Sequence, residues 1–454
     1  MTYRFRGPSQ EVWNHMGPKA AEAQPRDKGF SSIPSRVRWL VYLTIPSGIA
    51  YGYVIIAIAA YLPEVGVSMG DVGLLIAVNG LVFVVSAIPI GLLADRKGKK
   101  TIFQLGMLGI PPSILVFAFT TDLAPLLVAT SVMAVCEAAF ASTWNALIAD
   151  QTTTRNRNQA FSLSFIVGNA AFGIGFAVPF LFPPIQAWTG MTSEDLHSYA
   201  FILMAGVAAL SPLLFWPLMR SYDETVTPRE GFRRGQSNKV LMRFSSINAM
   251  IGLGAGFIIP LVPSWLLLKY GVTDAWSGPL LAVSNITIGI AAILSPLIAS
   301  RYGVIKAIVV TQATSTLFML SMAFMPGAIL AASVYLVRAA LMNMAVPLLD
   351  AYLMGIIAKE ERGFASALNS IIWRLPNSVT SYFGAKMLED GEYDLPIFIA
   401  TAFYVVGTGL FFFLFKDIKP RDAPFPADAL EDRGVRTPSA GTPAASARLY
   451  SQCQ

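Results

Sequence analysis

Charge is scarce in this 454-residue chain. Only 13% of its residues are Asp, Glu, Lys or Arg, about half the roughly 25% of an ordinary soluble domain, and that excludes a soluble globular protein. Cysteine is nearly missing too: Cys136 and Cys453 are the only two, too few for a disulfide framework or a cysteine metal centre. His15 and His197 are the only histidines, so there is no His-rich metal site and no spare base to activate a serine or cysteine. The sequence has no His-Glu-x-x-His, no Gly-x-Ser-x-Gly and no Gly-x-x-x-x-Gly-Lys-Ser/Thr, which leaves an intramembrane enzyme and direct use of ATP without footing and implies no cofactor. Apolar residues are what is plentiful. They make up 54% of the chain, about 245 positions, and twelve spans of about 20 residues need about 240.

Apolar runs long enough to cross a bilayer fall at 39–62, 72–94, 101–120, 124–149, 158–182 and 199–219, and then at 242–268, 276–299, 305–325, 329–357, 364–388 and 395–415. The expected fold is therefore an all-α membrane protein of twelve transmembrane helices in two six-helix bundles, 36–220 and 241–416. A polar central loop at 221–240 joins them. The tails, 1–35 and 417–454, are rich in Pro, Ala, Ser, Gly and charge and are expected to be flexible. The first tail has no short apolar region followed by a small-residue cleavage site, so no removable signal peptide is expected.

The net charge of +6 raises the question of a polyanion partner, and the placement of the bases answers it. With both termini in the cytoplasm, 29 of the 33 basic residues fall on cytoplasmic segments, as the positive-inside rule requires. Lys269 and Lys386 lie near the outer face, and Arg338 and Arg374 lie inside spans. The basic surplus thus marks topology, in a cell membrane with cytoplasmic termini, and nucleic acid is not an expected partner.

One internal repeat stands out. Gly66-Val-Ser-Met-Gly-Asp-Val-Gly-Leu-Leu-Ile-Ala-Val-Asn-Gly80 recurs 205 residues later as Gly271-Val-Thr-Asp-Ala-Trp-Ser-Gly-Pro-Leu-Leu-Ala-Val-Ser-Asn285. The same offset carries Leu92–Gly98 onto Leu297–Gly303 and Arg157 onto Arg362. Two parallel, pseudo-symmetric halves follow, an arrangement of secondary transporters whose binding site lies between the halves near the midplane.

Between the second and third spans stands Gly91-Leu-Leu-Ala-Asp95-Arg96-Lys97-Gly98-Lys99-Lys100. It resembles the signature Gly-x-x-x-Asp-Arg-x-Gly-Arg/Lys-Arg/Lys of the major facilitator superfamily, and the resemblance extends over about 36–416. Gly91 would permit close helix approach and Gly98 a tight turn. The resemblance implies a latch on the cytoplasmic side, with Asp95 facing the start of the eleventh span near Gly363 and Arg96 pairing with Asp150. Ser300 replaces the aspartate in the second copy, so that latch is expected to be weaker. The fifth span, Gly168 to Pro179, matches the glycine-proline pattern of antiporter members poorly.

Charges inside spans are costly and mark a pathway or an internal pair. Glu137 lies in the middle of the fourth span, Arg338 in the outer half of the tenth, Asp350 in its inner half and Arg374 near the middle of the eleventh. Under the offset Glu137 corresponds to Met342, one turn from Arg338, so these two are expected at similar depth and able to meet across a central cavity. Arginine keeps its charge whereas a carboxylate can be neutralised, so Glu137, then Asp350, is the expected proton carrier. Tyr51, Tyr53, Trp144, Asn145, Asn169, Asn248, Asn285, Trp373 and Asn377 are further cavity candidates. The resulting expectation is a monomeric secondary active transporter of a small organic, anionic or polar solute, coupled to protons and working by alternating access. A multidrug-type proton antiporter, or a non-transporting receptor or scaffold on the same fold, is the alternative.

Overall fold

The computed structural model describes residues 29–153, 156–220, 238–357 and 362–416. Most of the expected tails and central loop, and Cys453 and His15, lie outside the described residues. Within them the chain forms α1 (Ser35–Glu64), α2 (Met69–Lys97), α3 (Lys99–Val116), α4 (Leu123–Asp150), α5 (Gln159–Thr189) and α6 (Ser193–Arg220). The second half forms α7 (Val240–Tyr270), α8 (Asp274–Tyr302), α9 (Val304–Met322), α10 (Ala328–Ile356), α11 (Arg362–Glu389) and α12 (Leu395–Phe415). Among the described residues nine of these segments are long and apolar enough to cross a membrane; α3, α8 and α11 fall outside that set and pack against its members. No strand occurs among the described residues.

The helices follow the expected spans closely, with one instructive difference at α6. It starts at Ser193 rather than near 199 because a polar cap opens it. Thr192 Oγ1 accepts from the Asp195 N–H at 3.1 Å, and Asp195 Oδ2 accepts from the Thr192 N–H at 3.3 Å. This reciprocal pairing satisfies the amides that a helix start leaves free, and it brings polar residues into a helix that hydrophobicity alone starts later.

The repeat is visible in three dimensions. α2 and α8 begin and end 205 residues apart, and α4 and α10 begin with the same displacement. Packing is duplicated as well: α1 packs on α5 and α6 as α7 does on α11 and α12, and α4 packs on α2 and α3 as α10 does on α8 and α9. The halves meet through α2 with α11 and α5 with α8. All six described residues with a left-handed backbone are glycines, and they fall in corresponding turns: Gly66 with Gly271, Gly98 with Gly303, and Gly190 with Gly391. Gly98, at φ 95°, both ends α2 and opens α3, which is why the signature loop needs a residue without Cβ there. Gly91 does not have the role expected of it. A Cβ there would meet Ser142 at 3.9 Å, an ordinary contact, so close helix approach does not depend on it.

Both described ends of the chain, the start of α1 and the end of α12, lie on one face, here the terminal face; the opposite one is the far face. Contacts between the halves concentrate toward the far face. Ser264 Oγ of α7 donates to the Ala59 carbonyl in the π-helical turn Ala57–Tyr61 of α1. The Gly70 N–H at the start of α2 donates to Glu389 Oε2 at the end of α11 at 2.8 Å. His197 of α6 and Asp274 of α8 form a buried pair, Nε2 to Oδ2 3.0 Å. The His197 ring is stacked on Tyr61, and its Nδ1 lies 2.9 Å from Tyr53 Oη.

Candidate transport site

A cavity of about 410 Å³ is walled by the N-terminal half, with Arg374 of α11 reaching its lining from the C-terminal half. Thr44, Ser47 and Tyr51 of α1, Trp144 and Asn145 of α4, and Ser164 and Gly168 of α5 line it. Most of these lie in the parts of their helices nearer the terminal face, so the cavity lies on the terminal side of the far-face contacts. Much of the wall is aromatic. Trp144 is nearly parallel to Phe103 and Phe140, with ring centroids 5.8 and 5.1 Å away, and is fixed by an indole N–H to Ser164 Oγ bond of 2.8 Å.

Glu137 and Arg374 line the same cavity, and they come from opposite halves. Arg374 Nη1 donates to Glu137 Oε1 at 2.7 Å and Nη2 donates to Oε2 at 2.8 Å, a two-pronged pair. The Tyr51 hydroxyl donates to the same Oε2 at 2.7 Å. Arg374 also donates to Asn79 Oδ1 at 3.3 Å, and its guanidinium lies 3.9 Å from the centroid of the Phe83 ring. Their side chains are 27% and 24% exposed, so the pair is shielded from lipid yet open to a solute in the cavity. Geometry of this kind favours planar, charge-assisted recognition of a carboxylate. Glu137 supplies that carboxylate from the opposite half. Proton binding to Glu137 would remove one charge of the pair and release the guanidinium.

The other expected residues divide clearly. Tyr51, Trp144 and Asn145 line the cavity. Asn169 is half-buried and bonds the Phe165 carbonyl of its own helix, Asn285 bonds Leu281 in the same way, and Asn377, buried, reaches the Gly252 carbonyl. Asn248 pairs with Asn369 at 2.8 Å. Neither these amides nor Trp373, whose backbone crowds Gly252, is among the residues lining this cavity. Tyr53 belongs to the His197 cluster. Arg338 does not meet Glu137: it turns into its own half and donates to Tyr404 Oη at 2.8 Å. Asp350 is exposed on α10, 205 residues beyond the cavity residue Asn145. In the signature loop Asp150 accepts from Lys99 Nζ at 2.7 Å while Arg96 is exposed, so the expected Arg96–Asp150 pair is absent in this conformation. Lys99 opens α3 and is thereby held against the end of α4, whereas Arg96 lies on an exposed position of α2. Asp95 is half-buried, and the side chains at the start of α11, including the position of Gly363, lie outside the described residues.

Sequence reasoning overlooked Asn79, Phe83 and the His197–Asp274 pair. Asn79 was visible as a polar residue inside a span. Phe83 carried no signal among so many apolar neighbours.

Comparison with known proteins places this geometry in context. The chain is 26% identical over 212 residues to the inner membrane transport protein YajR of Escherichia coli (strain K12), a stretch that covers 46% of this chain and 44% of that protein. It thus spans less than half the length of that relative. A bacterial homologue of the human lysosomal transporter Spinster, in an inward-facing and occupied conformation, superposes with a TM-score of 0.68 at 16% identity, covering 85% of this chain and 98% of the other. The nucleoside transporter NupG does so with a TM-score of 0.65 at 12% identity, covering 84% and 99%. These likenesses establish the fold. The model of the Major Facilitator Superfamily, a family of transporters rather than enzymes, matches residues 40–381 and 244–448. With its apolar helices and duplicated packing, the chain is an integral, multi-pass membrane protein that belongs to the Major Facilitator Superfamily.

Proposed function

We propose that this protein is a proton-coupled secondary transporter that moves a small organic anion, or a polar solute with an anionic group, by alternating access. One observation carries the reading: the two-pronged Glu137–Arg374 pair joins the two halves within the central cavity. A solute anion competes with the Glu137 carboxylate for Arg374, and protonation of Glu137 decides the competition. Binding of proton and solute then replaces one inter-half tie by another, a differential interaction able to bias a two-state equilibrium. The wall of Phe83, Phe140, Trp144 and Phe172 suits an apolar body attached to the anion. The same wall favours a second reading, a multidrug-type antiporter.

The clustering of bases makes the terminal face the cytoplasmic one, and the conformation is then inward-facing. In the outward-facing state the signature loop would close the cytoplasmic side, with Arg96 taking Asp150 from Lys99 and Asp95 facing the start of α11. The protein acts as a monomer in this reading, needing only solute, protons and the bilayer.

The test is transport in liposomes. Glu137→Gln abolishes uptake driven by a pH gradient and preserves solute counterflow; driven uptake at the full rate removes Glu137 as the carrier. The direction in which solute flux collapses the gradient separates import from antiport.

A further inference from the structure

Arg338 sits in the core of the C-terminal half, on α10, and is only 4% exposed. Its carbonyl accepts from Ser315 Oγ of α9 at 2.9 Å, and its Nη2 donates to Tyr404 Oη of α12 at 2.8 Å. Its guanidinium carbon is 5.4 Å from the centroid of the Tyr404 ring. Its Nε is buried without an acceptor. Tyr335, one turn earlier on α10, is buried close to Ser284 of α8, Arg338 and Tyr404. Every side-chain group this cluster offers is a donor or carries a hydroxyl proton able to donate.

No carboxylate of this half answers the charge. The sequence has no Asp or Glu from 275 to 349, from 363 to 388 or from 395 to 416, nor in α7. The acids of this half stand at helix ends and turns. Asp274 is paired with His197, Asp394 with Lys269 and Glu389 with Lys386. Asp350 is twelve residues along α10, about 18 Å down the helix axis. A buried cation without a counterion is strongly destabilising, and a hydroxyl and a ring face do not supply a negative charge. The N-terminal half shows what the position otherwise holds. Met133, 205 residues earlier, is buried and apolar.

We propose that this acid-free pocket binds one small inorganic monovalent anion, chloride or an ion of its size, held by the Arg338 Nε–H and the hydroxyls of Tyr404 and Tyr335. The anion neutralises Arg338 inside the C-terminal half and stabilises its packing. The site is separate from the Arg374 pair, lies behind the cavity wall, and does not depend on what solute is carried.

The experiment is thermal unfolding of the purified full chain in sodium gluconate, titrated with sodium chloride or bromide at constant ionic strength, since a ligand of the folded state raises stability by mass action. The wild type shows a saturable rise in unfolding temperature. Arg338→Met loses it, and Arg374→Met keeps it. Tyr404→Phe, which retains the ring and removes one charge-assisted bond, folds and shifts the chloride midpoint upward by roughly tenfold. Crystals soaked in bromide show anomalous density beside Arg338 Nε. No chloride effect in the wild type, an effect lost in Arg374→Met, an unmoved midpoint in Tyr404→Phe, or bromide absent from Arg338 each overturns the proposal.

Discussion

The two halves share a fold and differ in where they hold charge. In the N-terminal half the central acid Glu137 faces the cavity, and the bundle behind it is apolar, with Met107 and Met133 buried. In the C-terminal half the corresponding bundle positions are Gln312 and Arg338, both buried, and of the two arginines inside its spans Arg374 finds its acid in the other half while Arg338 has none beside it. Duplication explains the common backbone, but the charges at the centre of the molecule divide by sign: Glu137 on one side, Arg374 and Arg338 on the other. Opposite charges on separate bodies attract only when the bodies approach, so the split makes electrostatics a property of the conformation rather than of either bundle. Arg374 uses that attraction across the cavity. Arg338 is turned away from it.

The sharpest way to break this comparison is to put the C-terminal residue into the N-terminal half. Met133→Arg places a guanidinium among apolar groups with no tyrosine to receive it, and the expected cost of more than about 3 kcal/mol removes folded, monodisperse protein on gel filtration after expression. Survival with an unchanged unfolding temperature would show that either bundle tolerates the charge. A smaller effect is expected across the cavity. In a double-mutant cycle on unfolding, Glu137→Gln and Arg374→Gln couple by roughly 1–3 kcal/mol, because the pair is two-pronged yet about a quarter exposed. Coupling near zero would mean that the pair does not tie the halves together.

The smallest effect concerns the two faces. Spin labels at Thr121 and Phe324, exposed loop residues of opposite halves on the far face, report its opening by their distance distribution. Asp274→Asn weakens the His197 tie and shifts a few-fold more molecules to the longer distance, consistent with roughly 1 kcal/mol. Asp95→Asn, which removes a latch of the opposite state, shifts them to the shorter one. If both variants leave the distribution unmoved, neither face is gated by these residues.

Much of the fold was readable before any coordinates, for physical reasons that particular residues make plain. Apolar runs give spans because backbone groups in lipid must bond within a helix, and Gly98 and Gly303 mark turns that other residues resist. The Thr192–Asp195 cap hid the first turn of α6, because capping residues are polar. The site was half legible. A charge inside a span flagged Glu137, Arg338, Asp350 and Arg374, but the repeat offset fixes depth along a helix and leaves rotation about the bundle open. Arg338 and Glu137 therefore seemed poised to meet, although Arg338 points into its own half. The Arg96–Asp150 pair came from the family resemblance, and a motif fixes residue types without saying which of its neighbouring bases reaches Asp150 in this conformation. His197 and Asp274 meet only because the halves dock, which nothing local to either residue announces.

The bond from Ser264 to Ala59 has a consequence for motion. These residues are 205 apart, the repeat interval itself, so each is the other's symmetry mate. Points related by a twofold rotation can touch only on its axis. The contact therefore locates where the pseudo-twofold axis emerges at the far face, well away from the midplane about which two halves rock, so its two sides must part when that face opens. A crosslink here should therefore arrest a rocking carrier with its far face closed, as the same crosslink between Gly70 and Glu389 should.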